Sequence, residues 1–264
     1  MHKSRKRFGQ HFLHDQQVIQ KIIVAVHPDT TQHILEIGPG HGALTDMLIS
    51  KAGKLDAVEL DRDLANELMQ RFHGVNHFHV HQGDILKFDL HKVQFNGRLR
   101  LIGNLPYNIS TPLLFRMRDQ IECIEDMHFM LQKEVAQRIC AEPGNRSYGR
   151  LSVMMQYAFQ VEILFHIPPA SFNPPPKVDS SFLHFIPHSR PPVHIDNHDV
   201  FELTVSTAFS QRRKTLRNTL KQLISESGIR ALGIDPGARP ETLTLAQFAL
   251  ISNTLYAMGQ HGKL

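Results

Sequence analysis

Cysteine is nearly absent: Cys123 and Cys140 are the two thiols in 264 residues. Two cysteines make no disulfide framework, and without a CxxC pair they make no common thiolate metal site. Both read as reduced thiols of a cytoplasmic protein. Long hydrophobic runs are missing as well. None approaches the roughly 20 apolar residues of a membrane-spanning helix. The first residues, MHKSRKRFGQHFLHD, are basic but lack the apolar centre of a secretory signal. There are no internal repeats and no low-complexity tracts. A strong charge of one sign is lacking too, with 29 Lys+Arg against 25 Asp+Glu and a formal net charge of +4. What remains is a chain that is 41% hydrophobic and 20% charged, long enough for a large core in two domains.

The small positive excess is concentrated. Lys3, Arg5, Lys6 and Arg7 form one cluster; Arg212, Arg213, Lys214, Arg217 and Lys221 form another. Two such clusters suit a polyanion such as nucleic acid. Charge alone does not separate this from two solvated faces. Histidine is abundant, at 18 residues, and His77, His79 and His81 share one side of a strand. Neighbours along one strand are spaced too widely to close on one ion, and no acid or thiol stands among them. No metal site is expected.

Short apolar strands are expected at His33–Ile37, Leu55–Leu60, His77–Val80, Leu99–Ile102, Met127–Leu131, Gln160–His166 and Ser181–Ile186. Helical stretches at Asp63–Phe72, Pro112–Arg118 and Lys133–Glu142 lie between them. This alternation implies βαβ units and a mostly parallel sheet. The last two strands flank IPPASFNPPPKVDS, too rich in proline for a helix, and are expected to pair antiparallel. A seven-stranded α/β sheet over residues 1–187 follows. Pro187–Asp196 reads as a linker. From residue 197 to 264 the pattern is helical: Phe209, Leu216, Leu220 and Leu223 recur at helical spacing, with Arg213, Arg217 and Lys221 as a stripe on another face.

HILEIGPGHGALT is a strand, a glycine turn and a helix start. Gly38, Gly40 and Gly42 remove Cβ atoms where the backbone turns and nears a ligand. Glu59 ends the next strand, 19 residues after Gly40, suited to ribose hydroxyls. Asp84 ends the third and suits an adenine amino group. The dinucleotide fingerprint Gly38-x-Gly40-x-x-Ala43 is weak by itself. Pro39 removes an N–H that a pyrophosphate would use, and Glu36 adds negative charge. An ammonium and sulfonium ligand, S-adenosylmethionine, fits better.

The run LRLIGNLPYNISTP ends in an amide, a proline and an aromatic. An exocyclic base nitrogen is a poor nucleophile because its lone pair is delocalised into the ring. Two acceptors that bond both its hydrogens aim that lone pair and stabilise the charge developing on nitrogen. The Asn104 side-chain oxygen and the Leu105 carbonyl are those acceptors; Pro106 holds Leu105 out of helical space. Tyr107 offers a face for an extruded base.

RKRFGQHFL, EIGPGHGALT, VELD, GDIL, NLPYNISTPLLF, FMLQKEVAQRI, YGRLSVMMQ, FNPPPKVDSS and FSQRRKTLRN occur in that order. Together they resemble the small-subunit ribosomal RNA adenine N6,N6-dimethyltransferases, from about Arg5 to Tyr256. The resemblance implies a class I methyltransferase fold, Rossmann-like, with a small all-helical C-terminal domain. It implies dimethylation of two adjacent adenines in the terminal hairpin loop of small-subunit rRNA by a monomer, with free rRNA or an immature small subunit as its partner. It assigns cofactor contacts to His11, Leu13, Gly38, Glu59, Asp84 and Asn104, and base contacts to Tyr107 and Phe172. Many relatives carry Asn where His11 stands. The second basic cluster would hold rRNA phosphates, helped by the first. Two rival readings are an assembly factor acting by binding and a nicotinamide-dependent oxidoreductase; the Asn104–Tyr107 corner gives the latter no support.

Overall fold

The computed structural model describes residues 11–93, 97–211 and 213–261. The expected seven-stranded sheet is present, in the order β4-β3-β2-β5-β6-β9-β7. Its strands are β2 (His33–Ile37), β3 (Lys54–Glu59), β4 (Phe78–Gln82), β5 (Leu99–Asn104), β6 (Ile124–Gln132), β7 (Phe159–Ile167) and β9 (Ser180–Pro187). A separate two-stranded sheet pairs β1 (Phe12–Leu13) antiparallel with β8 (Phe172–Asn173). The pairs from β4 to β6 are parallel, and β9 runs antiparallel to β6.

The helices of the sheet region are α1 (Gln16–Val26), α2 (Thr45–Leu48), α3 (Arg62–Arg71) and α4 (Ser110–Arg118). Helix α1 starts because the Asp15 carboxylate accepts the Gln17 and Val18 N–H groups that the first turn leaves unbonded. It buries Ile19, Ile22, Ile23 and Val26, each contributing about 1.5–3 kcal/mol. They pack with Ile34, Leu55, Ala57 and Phe182 in one core.

Strands β3 and β4 extend the sheet to one side of β2; β5 and β6 extend it to the other. The chain reverses its direction of growth between β2 and β5, and a crevice opens there at the carboxyl ends of the strands. The two strands run close. A Cβ on Gly103 would come 2.6 Å from the Ile37 carbonyl, so only glycine fits one residue before Asn104.

The chain forms two compact units. One comprises residues 1–136 and 161–187; the other takes in Gln137–Gln160 as well as residues 188–264. The second contains α6 (Arg150–Ala158), α7 (His198–Ala208), α8 (Leu216–Thr219), α9 (Glu226–Ala231) and α10 (Leu245–His261), while α5 (Lys133–Ile139) crosses the division. Phe201, Val205, Phe248 and Ile251 are buried in it, and α7 packs on α10.

The stretch Phe209–Leu223 departs from the helical reading. Helix α7 stops at Ala208, and α8 spans four residues. The Leu216 and Arg217 N–H groups bond the carbonyls of Ala238 and Pro236, not the preceding turn. The basic stripe therefore lies on turns and one short helix. Arg213, Lys214, Arg217 and Lys221 are all exposed. Lys3, Arg5, Lys6, Arg7 and Arg212 fall outside the described residues.

Candidate active site

A cleft with a cavity of about 80 Å³ opens at the carboxyl edge of β2 and β5. The glycine turn, the β3 end, the Asn104–Tyr107 corner and the β1 strand line it. Of the cofactor residues expected from sequence, His11, Leu13, Gly38, Glu59 and Asn104 all line this cleft, as do Leu105, Pro106 and Tyr107.

The turn meets the corner directly. Gly38 and Gly40 have φ of +66° and +58°, a region that side chains with a Cβ rarely adopt. A Cβ on Gly38 would lie 3.9 Å from the Asn104 carbonyl oxygen. One on Gly40 would lie 3.0 Å from the Phe12 ring, which stands as the opposite wall. Phe12 also packs against the His41 ring at 4.5 Å between centroids.

Two acids form the floor. Glu59 Oε2 accepts the Gly40 N–H at 3.1 Å and Oε1 accepts the Asp61 N–H at 2.9 Å, which fixes the carboxylate under the turn. Burial pushes its pKa up. Glu36 is 2% exposed and accepts a 2.6 Å hydrogen bond from the Thr45 hydroxyl. Desolvation, reinforced by the charges of Glu59 and Asp46, raises it to about 7 despite that bond. Among the described residues, the cleft lining has no lysine or arginine. Such a cleft repels phosphate and suits a cationic ligand with hydroxyls, so the donor set fits S-adenosylmethionine.

Asn104 has a defined orientation. Its Nδ2 donates to the His11 carbonyl at 2.8 Å. A carbonyl only accepts, so the amino end of the amide is fixed there and Oδ1 is the acceptor end. Leu105 donates its N–H to the Met130 carbonyl at 3.3 Å, extending the β5–β6 ladder by one residue. The Pro106 carbonyl accepts from the Ile109 N–H and the Ser110 hydroxyl, both at 3.1 Å, so the bend is bonded on both sides. Tyr107 is half-buried; its hydroxyl lies 2.8 Å from Ser180 Oγ, and its ring centroid lies 5.6 Å from that of His11. The His11 ring is held in turn by Nδ1 donating to the Pro174 carbonyl at 2.7 Å.

Two expected residues are not part of the cleft lining. Asp84 is not among the cleft-lining residues; its Oδ1 accepts the Leu86 N–H at 3.0 Å. Phe172 departs from its expected role as a base-sandwiching aromatic. It is 2% exposed, paired with Leu13 in the small sheet and packed in the core. A ring with no open face cannot take a base, so its part is to anchor β1 as the cleft wall. Sequence reasoning missed Phe12 and Ser180. Phe12 sits inside the quoted QHFL motif, yet its wall role needs the β1–β8 pairing to be visible. Ser180 reaches Tyr107 across strands, and no spacing announces that. One of the strand histidines finds a carboxylate on the neighbouring strand: His81 Nε2 lies 2.6 Å from Asp56 Oδ1, supplied by β3.

Known proteins resemble this chain over almost its whole length. Residues 1–257 match the family described as Ribosomal RNA adenine dimethylase. The Ribosomal RNA small subunit methyltransferase A of Pseudomonas aeruginosa is 51% identical over 255 residues, 96% of this chain and 95% of that protein. Its namesake from Methylococcus capsulatus is 52% identical over 254 residues, 96% and 98% of the two chains. A dimethyladenosine transferase from Plasmodium falciparum has a TM-score of 0.74 at 26% identity, over 95% of this chain and 98% of that one. The 23S rRNA methyltransferase ErmE shares the fold, with a TM-score of 0.72 at 23% identity over 93% and 99%. With a crevice built for a cationic donor, an amide acceptor at its rim and matches that run almost end to end, this chain belongs to the ribosomal RNA adenine dimethylase family.

Proposed function

We propose that the protein transfers methyl groups from S-adenosylmethionine to N6 of adenine in ribosomal RNA. Its targets in this reading are two adjacent adenines in the 3′-terminal hairpin loop of small-subunit rRNA, free or within an immature subunit. The observation that carries the proposal is the Asn104 amide, whose amino end is held by the His11 carbonyl so that an oxygen acceptor serves the cleft.

When bound, S-adenosylmethionine supplies an electrophilic methyl on a positively charged sulfur. His11, Leu13, Gly38, Glu59 and Asn104 form its cradle, with Asp84 adding an acceptor at the β4 edge. Glu59 takes ribose hydroxyls; Glu36 offsets positive charge. Asn104 Oδ1 and the Leu105 carbonyl accept the two N6 hydrogens of an everted adenine. Both bonds strengthen as positive charge grows on N6, so they favour the transition state over the ground state. Fixed acceptors need no reorganisation during transfer. The Tyr107 face stacks on the base, a contact worth about 1–3 kcal/mol. No general base is needed, since the proton leaves to water after transfer. Arg213, Lys214, Arg217 and Lys221 hold rRNA phosphates.

The deciding experiment incubates the protein with radiolabelled S-adenosylmethionine and unmodified small subunits, then maps the label. Dimethylated adenines in the 3′-terminal hairpin are expected. Label on another nucleotide would overturn the target, and no transfer at all would favour a factor acting by binding.

A further inference from the structure

Far from the cleft, at the amino ends of β5 and β6, two short 3-10 turns bring three unlike donors together. His91 comes from the turn Leu90–Lys92; Glu122 and Cys123 come from the turn Ile121–Cys123. Cys123 Sγ lies 3.4 Å from His91 Nε2. Glu122 Oε1 lies 3.4 Å from the same nitrogen. All three donor atoms fall within 4.8 Å of one another. A tetrahedral ion bound at ordinary zinc–nitrogen, zinc–oxygen and zinc–sulfur lengths holds its donors about 3.3–3.6 Å apart. The two separations from His91 match that spacing, and Glu122 and Cys123 present their donor atoms within 4.8 Å of each other.

The histidine is also oriented as a ligand. Its Nδ1 lies 3.0 Å from Asp89 Oδ1, which accepts the His91 backbone N–H as well, at 3.1 Å. A carboxylate accepts, so Nδ1 carries a hydrogen; in the neutral ring Nε2 then holds the lone pair that an ion between Cys123 and Glu122 would take up. Metal-binding histidines are commonly held this way by a carboxylate on their second nitrogen. His91 and Glu122 side chains are each 60% exposed, open to an arriving ion, while Cys123 is buried and ties the site to the core.

A second cluster, Asp126, His128 and His184, is equally compact, and His128 Nδ1 is buried without a hydrogen-bond partner. It fails as a ligand set. The two imidazoles are stacked at 4.2 Å with 14° between their planes, so no point lies in the plane of both rings at bonding distance. The Arg100 fork also occupies both Asp126 oxygens, at 2.9 and 2.7 Å.

We propose that His91, Glu122 and Cys123 bind a divalent transition-metal ion of the zinc class, with Asp89 orienting His91 and water in the fourth position. On binding, the Cys123 thiol releases its proton to solvent and a sulfur–metal bond forms. Thiolate and carboxylate together neutralise the ion's two positive charges. The ion clips together two turns 32 residues apart in the chain.

The test titrates the full-length, reduced protein with Co²⁺ alone and follows thiolate-to-cobalt charge-transfer absorption, then adds Zn²⁺ to displace it. One Co²⁺ per chain with that band is expected, lost in Cys123→Ser and weakened at least about tenfold in His91→Ala. Asp89→Ala is expected to weaken binding by about 10–100-fold. His91 and Asp89 are exposed, so their variants report even where Cys123→Ser folds poorly. Absence of the band, or a band unchanged in Cys123→Ser or His91→Ala, overturns the proposal.

Discussion

Tyr107 and Ser180 are joined hydroxyl to hydroxyl at 2.8 Å, with Ser180 fully buried on β9 and Tyr107 at the rim of the cleft. The bond fixes the rotation of a ring whose proposed task is to present a flat face to an everted base. One neutral hydrogen bond contributes about 0.5–1.5 kcal/mol. Ser180→Ala is therefore expected to lower kcat/KM for rRNA by about three- to tenfold, through KM more than kcat. Ser180→Thr should restore it, and Tyr107→Phe should match the alanine variant. Steady-state kinetics with unmodified subunits is the check, and a Ser180→Ala enzyme equal to the parent would refute the role.

Asn104→Ala removes the acceptor and is expected to abolish methyl transfer, a loss of at least about a hundredfold in kcat on the scale of one removed transition-state hydrogen bond. Binding to rRNA, measured by filter retention, should stay within about threefold of the parent, since phosphates supply most of that affinity. Equal loss of both would assign Asn104 to folding and not to chemistry. Restored subunit maturation by this variant would shift weight to the binding role.

Glu36 titrates at about 7 in the folded chain, against an ordinary value of 4.5. Its folded pKa is raised, so its contribution to stability is greatest below 4.5 and is lost as pH rises through 7. A cationic ligand has the opposite preference, because it favours the ionised form. Affinity for S-adenosylmethionine is thus expected to rise up to about tenfold between pH 6 and pH 8. Glu36→Gln should flatten that profile in calorimetric titrations; an unchanged slope would place the titrating group elsewhere.

Replacing Arg213 and Arg217 with alanine should weaken rRNA binding and reduce the magnitude of its log-log salt slope by about 1–2, on the rule of slightly less than one per phosphate contact. Both side chains are exposed, so stability should hold. A salt slope equal to that of the parent would move the phosphate contacts off this turn.

Arg100 and Asp126 form a largely buried bidentate pair between β5 and β6; against the desolvation that would raise it, hydrogen bonds from His184 and then Arg100 hold the Asp126 pKa down at about 2. Removing one partner of such a pair leaves an uncompensated charge. Arg100→Met is expected to cost about 3–5 kcal/mol in chemical denaturation. The Asp126 contribution is present above pH 3.8 and lost as pH falls toward 2, so the parent should lose stability over that window; the variant should lose less, the His184 bond keeping part of the dependence.

The strands were legible because each is a short apolar run closed by polar residues: His33–Ile37 is found as expected, and Lys54–Glu59 lies one residue earlier than expected. The corner at Asn104 was legible because its chemistry is local, four adjacent residues at a strand end. Helix Gln16–Val26 carried readable signs, an Asp15 cap and an apolar stripe, yet it stands before the alternation that begins at His33. Two-residue strands such as Phe12–Leu13 have no periodicity to read. The ties that orient the corner, from His11 and Ser180, join residues 93 and 73 positions apart, and sequence spacing has no rule for such meetings. The break after Ala208 went unseen for a related reason: the carbonyls of Pro236 and Ala238 capture N–H groups that a continuous helix would have used.

Pairing of Phe12 with Asn173, backed by the Ser171 hydroxyl on Asp15 across 156 residues, sets an order on biosynthesis. A polypeptide emerging from the translation machinery exposes its glycine turn and its Asn-Leu-Pro-Tyr corner while the strand that must clasp its beginning is still unmade. The pocket's outer wall is completed only once Phe172 and Asn173 have been made, so a half-finished enzyme has no closed chamber in which to hold a methyl donor.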